Sequence, residues 1–372
     1  MLTSLRLRHL LAGLVLVLPV AGCTSTSATP ESVTFGASGP WKEGYGAANR
    51  RGIELALDEI NHSPEWKDHP LRIQFEDDGS DGAAAARIAK GFVDNPDIVA
   101  VVGHVTSGAM VAAARVYDGH LAAVATTATS PALTGISPWA FRVISSDSMN
   151  GVKMAEYANK LGKKRAAILF ENNSYGRGLT SAFRKAFNGT VISYDPIGEG
   201  KDQNFEPYVS YFKQKQPDII FAAGTEASGL TLLKEVRRQG LTADLMGGDG
   251  WTGMVADVAG SENIIVGAPF TAEDPRTDAQ AFVKLYKEHY KGQEPDGNSA
   301  LGYDATKLLA KAVRSVGADR SRIRDWLAGL DEKTAFAGAT GMIHFRASGD
   351  PEGKSIQMTR IHHGLLKVEG AQ

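Results

Sequence analysis

Short apolar runs alternate with amphipathic segments along the chain, and the run at 98–102 shows this pattern clearly. The run, IVAVV, stops at Gly103, and an alanine-rich segment with helical spacing follows Ser107. A second apolar run, 121–125, opens into the hydroxyl-rich turn 126–130. The pattern predicts strand, helix and strand, with both strands ending at one edge of a parallel sheet. Because helix N-termini there carry unpaired N–H groups, we expect this edge to hold the carboxylate of a small ligand.

The alternation of strand and helix restarts near Asn150 and extends almost to the end of the chain. Such alternation is typical of parallel, right-handed βαβ units. We therefore predict an α/β fold with two doubly wound parallel-sheet lobes, joined by three crossovers near 143–147, 266–271 and 345–350. Lobe 1 is predicted to comprise 33–145 plus 271–346, and lobe 2 to comprise 146–270 plus 347–372. Late strands are predicted at 342–345, 355–362 and 365–368.

The N-terminal segment has the composition of an export signal followed by a tether. A basic start precedes the apolar run 10–20, which is too short to span a bilayer. The VAGC that ends at Cys23 resembles the bacterial lipobox, in which the cysteine receives a lipid. We predict a lipoprotein signal peptide at 1–22, lipidation of Cys23 and a polar tether at 23–32. An ordinary signal peptide with a chance cysteine is the alternative.

Composition and charge exclude several classes of function. The 372 residues are 43% hydrophobic and 22% charged, which is ordinary for a soluble globular protein. The formal net charge is −2 and no long basic run occurs, so we expect no nucleic-acid partner. Cys23 is the only cysteine and HExxH is absent, which excludes thiolate zinc sites and zincins.

Other candidates for metal binding or catalysis are weak, and we expect neither a bound metal nor a cofactor. Asp77, Asp78 and Asp81 lack the further ligands of a calcium loop, and a solvated strand end is the preferred interpretation. The His362–His363 pair falls in a late strand or hairpin. Ser210 and Lys213 match SxxK without the accompanying motifs, and GxSxG and GxxxxGK[ST] are absent. We predict that the protein is not an enzyme, with a hydrolase or dehydrogenase as the alternative.

The glycines Gly248, Gly250 and Gly253 match GxGxxG, but Asp249 lies between the first two. Its carboxylate would repel a pyrophosphate, so a dinucleotide site is disfavoured. The glycines instead predict a strand-end loop that exposes Asp249, although a turn aspartate bonded to nearby backbone remains possible. Tyr175 directly follows another predicted strand and is expected at the same kind of sheet edge.

Each of these residues also has a simpler interpretation. Ser107 could serve as a helix N-cap, Thr129 could only shape the turn before Pro131, and Tyr175 could be a surface aromatic residue.

Ten short motifs occur in order over nearly the whole chain after the predicted signal peptide. They are SGP (38–40), GIELALDEIN (52–61), DD (77–78), GHVTSG (103–108), TATSPALT (127–134), FRVISSD (141–147), SYGRG (174–178), MGGDG (246–250), YDA (303–305) and TGMIHF (340–345). Together they resemble the type I periplasmic binding proteins of the leucine/isoleucine/valine-binding class, the solute receptors of ABC importers.

The resemblance implies roles for particular residues. An α-carboxylate would be bound by Ser107, Thr127, Ala128 and Thr129, and an α-ammonium by Asp249 and Tyr175. Asp249 stands where leucine-type binders have Glu, and Thr225, with Glu226 beside it, replaces a tyrosine. The side-chain end of the ligand would meet Trp41, Tyr45 and Trp251. The cysteine pair that some relatives have in the first lobe is absent.

The resemblance also implies a function. We expect an extracytoplasmic protein, attached to a membrane through its lipid, that binds an amino acid or analogue and passes it to an ABC permease. A ligand-sensing or envelope-regulatory lipoprotein with the same fold is the alternative.

Overall fold

The computed structural model describes residues 32–200 and 202–369, all of which belong to one compact unit. The predicted signal peptide, Cys23 and all of the tether except Ser32 lie outside the described residues. Within the described part of the chain, no helix is long and apolar enough to cross a membrane.

A five-stranded parallel sheet is built from the N-terminal part of the chain, in the order β2-β1-β3-β4-β5. Its strands are β1 (Val33–Gly39), β2 (Leu71–Asp77), β3 (Ile98–Gly103), β4 (Ala122–Ala125) and β5 (Ala140–Arg142). All six residues of β3 are buried, as expected for a central strand covered on both faces.

Helices cover both faces of this first sheet. They are α1 (Gly44–His62), α2 (Gly82–Asp94) and α3 (Ser107–Tyr117), joined later in the chain by α9 (Gly297–Val316) and α10 (Arg320–Ala328). The helix between them and the second sheet in chain order, α8 (Thr277–His289), packs on α1 and α9. One apolar core holds α1, α9 and α10, and another holds α2 and α3. The α1 and α9 backbones approach closely, because a Cβ on Gly52 would lie 1.9 Å from the Ser299 carbonyl oxygen.

A second, seven-stranded sheet has the order β14-β13-β10-β9-β8-β6-β7. Its parallel strands are β6 (Arg165–Glu171), β7 (Thr190–Ile197), β8 (Ile219–Ala223), β9 (Asp244–Gly247) and β10 (Ile265–Ala268). The flanking helices are α4 (Asp147–Lys160), α5 (Ser174–Ala186), α6 (Glu206–Lys215) and α7 (Glu226–Arg238). They bury apolar residues against the two faces of the sheet in separate cores.

The second sheet was predicted to be parallel, and its late strands show that this is wrong at one edge. β13 (Gln357–His362) and β14 (Leu365–Val368) pair antiparallel, and β13 pairs antiparallel with β10, so the second sheet is mixed. Only His363 and Gly364 connect these two strands, both with positive φ, and so short a turn can join only antiparallel neighbours. Likewise β12 (Gly341–Ile343) pairs in a small hairpin with the unpredicted β11 (Phe336–Gly338).

The α/β fold with parallel sheets flanked by helices is confirmed. The chain passes between the sheets three times: after β5, between β10 and α8, and between β12 and β13. These passages lie close to the predicted crossovers.

Candidate functional site

A cavity of about 260 Å³ lies where strand ends of both sheets meet. From the first sheet it is lined by residues that follow β1, β2, β3 and β4, and from the second by residues that follow β6, β7, β8 and β9. Ligands of open α/β sheets bind outside the carboxyl ends of strands, so this is the expected position of a binding site.

The first sheet presents hydrogen-bond donors to the cavity, and we call Ser107, Gly108 and Thr127 the donor wall. Ser107 Oγ accepts a hydrogen bond from Ser130 N–H at 3.1 Å, which leaves its own hydroxyl hydrogen free to donate. Ser107 and Gly108 begin α3, where backbone N–H groups have no intrahelical acceptor. Thr127 Oγ1 donates to the Val105 carbonyl oxygen at 2.7 Å, so towards a ligand Thr127 can donate only its N–H. These donors suit a carboxylate.

A buried network supports the donor wall. Asp78 Oδ2 accepts from Ser38 Oγ at 3.0 Å and lies 2.7 Å from His104 Nδ1. His104 Nε2 lies 2.9 Å from the Tyr117 hydroxyl, and Ser80 N–H donates to Asp78 Oδ1 at 2.9 Å. Because a carboxylate only accepts, Nδ1 donates to Asp78, and in the neutral imidazole Nε2 then accepts from the Tyr117 hydroxyl. Asp78 is 1% exposed, so the predicted solvated strand end is wrong for this residue.

Arg142 ties the turn after β4 to a later part of the chain. Its side chain is 2% exposed and its Nε donates to Asp350 Oδ1 at 2.7 Å. The same guanidinium donates to the Ser130 carbonyl oxygen and to Thr134 Oγ1, both at 2.9 Å. The turn that carries Thr127 therefore rests on a hydrogen-bonded ion pair whose arginine is buried and whose aspartate is partly exposed.

The second sheet presents carboxylates, and we call Glu171, Tyr175 and Asp249 the acid wall. The Tyr175 hydroxyl donates to Asp249 Oδ1 at 3.2 Å and accepts from Gly250 N–H at 3.3 Å. Asp249 is 9% exposed, and burial raises its pKa to about 6. Burial thus disfavours the charged form of this carboxylate, and a cationic group of a ligand beside it would favour that form again.

Asp147, the first residue of α4, lies behind this wall and was not predicted as a site residue. Its backbone N–H donates to the Thr129 carbonyl oxygen at 2.9 Å, and its side chain is fully buried. Neither carboxylate oxygen has a hydrogen-bond partner among the described residues. Burial, followed by the negative charge of Asp249, holds the pKa of Asp147 well above its usual range. The acid wall is therefore backed by a second buried carboxyl group whose neutral form is favoured.

Glu171 is a further lining residue that the sequence analysis missed. It ends β6, is 1% exposed, and its Oε1 accepts from Thr225 N–H at 3.0 Å, Thr225 Oγ1 at 2.8 Å and Ser228 Oγ at 2.8 Å. The acidic residue at the end of an apolar strand was the available signal, but the predicted strand ended one residue earlier.

The sequence profile of the periplasmic binding protein family matches residues 33–361. A Pseudomonas aeruginosa amino acid binding protein is 29% identical over 310 residues, covering 79% of this chain and 82% of the relative. The leucine-, isoleucine-, valine-, threonine- and alanine-binding protein of the same species is 26% identical, covering 96% and 98%. The Streptococcus pneumoniae branched-chain amino acid transporter substrate-binding protein LivJ, solved with isoleucine, is 26% identical with a TM-score of 0.83. The match covers 91% of this chain and 99% of LivJ.

The chain belongs to the periplasmic binding protein family. It is therefore an extracytoplasmic solute-binding protein, and the predicted resemblance is confirmed.

In this periplasmic binding protein, six of the predicted site residues line the cavity. They are Tyr45, Ser107, Thr127, Tyr175, Thr225 and Asp249. Ala128 and Thr129 are fully buried in the turn beside Thr127. Ser107 is not the N-cap of α3, because that position belongs to Thr106.

The glycines around Asp249 are required by close approach of other backbone and side chains. A Cβ on Gly250 would lie 2.6 Å from the Gly224 carbonyl oxygen, and one on Gly248 would lie 2.6 Å from the Tyr175 hydroxyl. The loop can therefore present Asp249 beside Tyr175 only with glycine on both sides.

Three predicted contacts are not found at the cavity wall. Trp251 is fully buried because the 3₁₀ turn 249–256 directs its ring under Gly247 and into the core of the second sheet. Trp41 packs edge-on against Phe75, with ring centroids 5.7 Å apart. Glu226 lies against Gly253, outside the cavity lining.

The residues considered for catalysis or metal binding form hydrogen bonds with other parts of the protein. Ser210 Oγ donates to Gln239 Oε1 at 3.2 Å, and Lys213 Nζ donates to the Gln239 carbonyl oxygen at 3.0 Å. His362 Nδ1 lies 3.0 Å from Glu262 Oε1. Over the described ranges no cluster of three metal-ligating side chains occurs.

Proposed function

We propose that this periplasmic binding protein captures an amino acid or amino-acid-like molecule in the cavity and delivers it to an ABC importer. The observation that carries the proposal is the opposite polarity of the two walls. The donor wall offers a free hydroxyl hydrogen and backbone N–H groups, and the acid wall offers the carboxylate of Asp249. A zwitterion placed between them would pair each of its charged ends.

In this proposal Ser107, Gly108 and Thr127 bind the ligand carboxylate, with Ala128 and Thr129 holding the turn in place. Asp249 and Tyr175 bind the ammonium group. Two relatives, an amino acid binding protein and an isoleucine-bound substrate-binding protein, support this class of ligand.

We further propose that ligand binding closes two lobes, 33–145 plus 271–346 and 146–270 plus 347–372. Each wall alone makes half of the contacts, so a ligand that bridges both favours the closed arrangement by its differential affinity. The three passages between the sheets would then act as the hinge. Small-angle scattering should show a more compact protein when ligand is added.

Mass spectrometry of the molecule released from purified, denatured protein tests the ligand class. We expect a compound with both a carboxylate and an amine, and calorimetry should reproduce its binding to stripped protein. The same compound should be recovered unchanged after prolonged incubation, because no chemistry is proposed. A retained molecule without an amine, or no binding by any amino acid, would contradict the proposal.

We propose that a lipid on Cys23 holds the protein at a bacterial membrane beside its permease. Lipidation adds about 0.8 kcal/mol of membrane affinity per buried methylene, so several acyl chains anchor a protein firmly. We expect the Cys23→Ser variant to appear in the soluble fraction and to lack acyl mass. Crosslinking of ligand-loaded protein should capture a permease subunit, and capture of a membrane kinase instead would favour sensing.

A further inference from the structure

The cavity lining has a strong charge bias that a single ammonium group does not balance. Four carboxylates line it: Glu43, Glu171, Glu199 and Asp249. Glu171 and Asp249 are more than nine-tenths buried, whereas Glu43 and Glu199 are exposed at the rim. No lysine, arginine or histidine occurs among the described lining residues.

The two buried carboxylates receive only neutral donors from the protein. Thr225 and Ser228 donate to Glu171 Oε1, and its Oε2 accepts only a long hydrogen bond from Asn173 Nδ2 at 3.3 Å. Tyr175 donates to Asp249 Oδ1, and no described side chain donates to Asp249 Oδ2. Since a buried charge without a counter-charge is costly, each of these carboxylates is poised for a cation.

The two buried carboxylates come from the ends of different strands. Glu171 ends β6 and Asp249 follows β9, and β8 lies between these strands. Neighbouring strands lie about 4.8 Å apart, so the two strand ends are separated by roughly 10 Å. Two cationic groups on one flexible molecule can reach both.

The Tyr45 hydroxyl lies at the end of the cavity where we expect the second cationic group of the ligand. It shares a hydrogen bond of 3.1 Å with Ser80 Oγ. Burial and then the negative charges of Glu43, Glu171 and Glu199 raise the pKa of Tyr45, so all three glutamates act on this end of the cavity. An aliphatic side chain would find little to pack against, because Val105 is the one aliphatic residue in the described lining.

We propose that the ligand is a cationic amino acid or a close analogue, and that Glu171, assisted by Tyr45, Glu43 and Glu199, binds its side-chain cation. The inference rests on the proposed function, because it assumes that Asp249 and the donor wall hold the α-ammonium and α-carboxylate.

Calorimetry with ligand pairs that differ mainly in charge tests the proposal. We expect arginine to bind at least about tenfold more tightly than citrulline, and lysine about tenfold more tightly than norleucine. Leucine should bind more weakly than either cation. If citrulline or leucine binds as tightly as arginine, the inference is wrong while the proposed amino acid receptor stands. If no amino acid binds, the proposed function itself fails.

The Glu171→Gln variant separates recognition from support of the fold. We expect the arginine-to-citrulline ratio to fall to about threefold or less, with citrulline affinity little changed. Glu156→Gln, on the exposed surface of α4, is the matched control and should keep the full ratio. If Glu171→Gln lowers both affinities equally and keeps the ratio, Glu171 only supports Thr225 and the assignment is wrong. If this variant does not fold, Glu43→Gln combined with Glu199→Gln provides the same test at the exposed rim.

Lys201 follows the lining residue Gly200 and lies outside the described residues. The Lys201→Met variant tests whether this lysine already compensates the glutamates. We expect it to retain the preference for arginine over citrulline. A wild-type preference for the neutral ligands that reverses in this variant would overturn the inference.

Discussion

The donor wall and the acid wall face the same cavity, but their polar groups are satisfied to different extents. Behind the donor wall, Asp78 has three partners and Arg142 forms a hydrogen-bonded pair with Asp350. Behind the acid wall, Asp147 has no hydrogen-bond partner for either oxygen among the described residues. The donor wall rests on an ion pair and on hydrogen bonds to a charged group, whereas the carboxylates of the acid wall receive only neutral donors from the described residues.

Because of this difference, we expect the donor wall to contribute mainly to folding stability and the acid wall mainly to ligand affinity. Polar groups that already have partners in the folded protein stabilise it, because removing one leaves the others buried and unpaired. Buried carboxylates without a cationic partner lower the free energy of unfolding of the ligand-free protein. They contribute mainly to the affinity for a cationic ligand. Substitutions in the two walls should therefore change different measurements.

The largest expected effect comes from the support of the donor wall. Asp78→Ala leaves Ser38, His104 and Ser80 without their acceptor, and should lower the free energy of unfolding by about 3–5 kcal/mol. Asp77→Ala is the matched control, since its ion pair with Lys42 is exposed and should contribute about 1 kcal/mol or less. Urea denaturation followed by circular dichroism measures both. Equal losses would show that the buried network does not support this wall.

The next largest effect concerns affinity. Asp249→Asn should weaken ligand binding by about 1–3 kcal/mol, measured by calorimetry, because the ammonium loses its charged partner. The free energy of unfolding should stay the same or rise, since a buried carboxylate has been removed. Asp68→Asn, on the surface, should change neither quantity. A destabilised variant with unchanged affinity would place Asp249 with the structural carboxylates.

The pH dependence should have opposite signs for binding and for ligand-free stability. The pKa of Asp249 is raised to about 6 in the folded protein, so affinity should fall as pH drops below about 6 and this carboxylate protonates. A raised folded pKa stabilises at low pH, so the contribution of Asp249 to ligand-free stability should grow between pH 7 and 4. Calorimetry and thermal unfolding over this range measure the two trends. Asp249→Asn should flatten both, and trends that persist in the variant would implicate another group.

The smallest expected effect is the loss of one neutral donor. Ser107→Ala should weaken binding by about 1 kcal/mol, because the removed hydroxyl is replaced only in part by neighbouring N–H groups. Ser315→Ala, on the exposed face of α9, provides the control for serine removal. Calorimetry with the same ligand decides the result. A loss as large as that of Asp249→Asn would mean that the two walls contribute equally.

Much of the fold could be predicted because its signals are local. The apolar run at 98–102 and the helix spacing after Ser107 appear in the structure within one residue, as β3 and α3. The position of Asp249 after a strand and between glycines was likewise enough to place it at a sheet edge.

The prediction failed where the direction of a side chain depends on distant parts of the chain. Trp251 follows Asp249 by two residues, yet the turn between them sends one side chain to the cavity and the other to the core. Asp147 was read only as part of a motif, because nothing local shows that it will be buried and lie close to Asp249, which together raise its pKa.

By itself the sequence determined the order of strands and helices and the sheet edge that would carry polar groups, because periodicity and strand ends are properties of neighbouring residues. Only the tertiary structure decided that Glu171 and Asp249 line one cavity, that Asp78 is buried with His104, and that Trp251 is not a wall residue. The burial and the electrostatic surroundings of each of these residues depend on residues far apart in the chain. Local sequence patterns therefore cannot predict them.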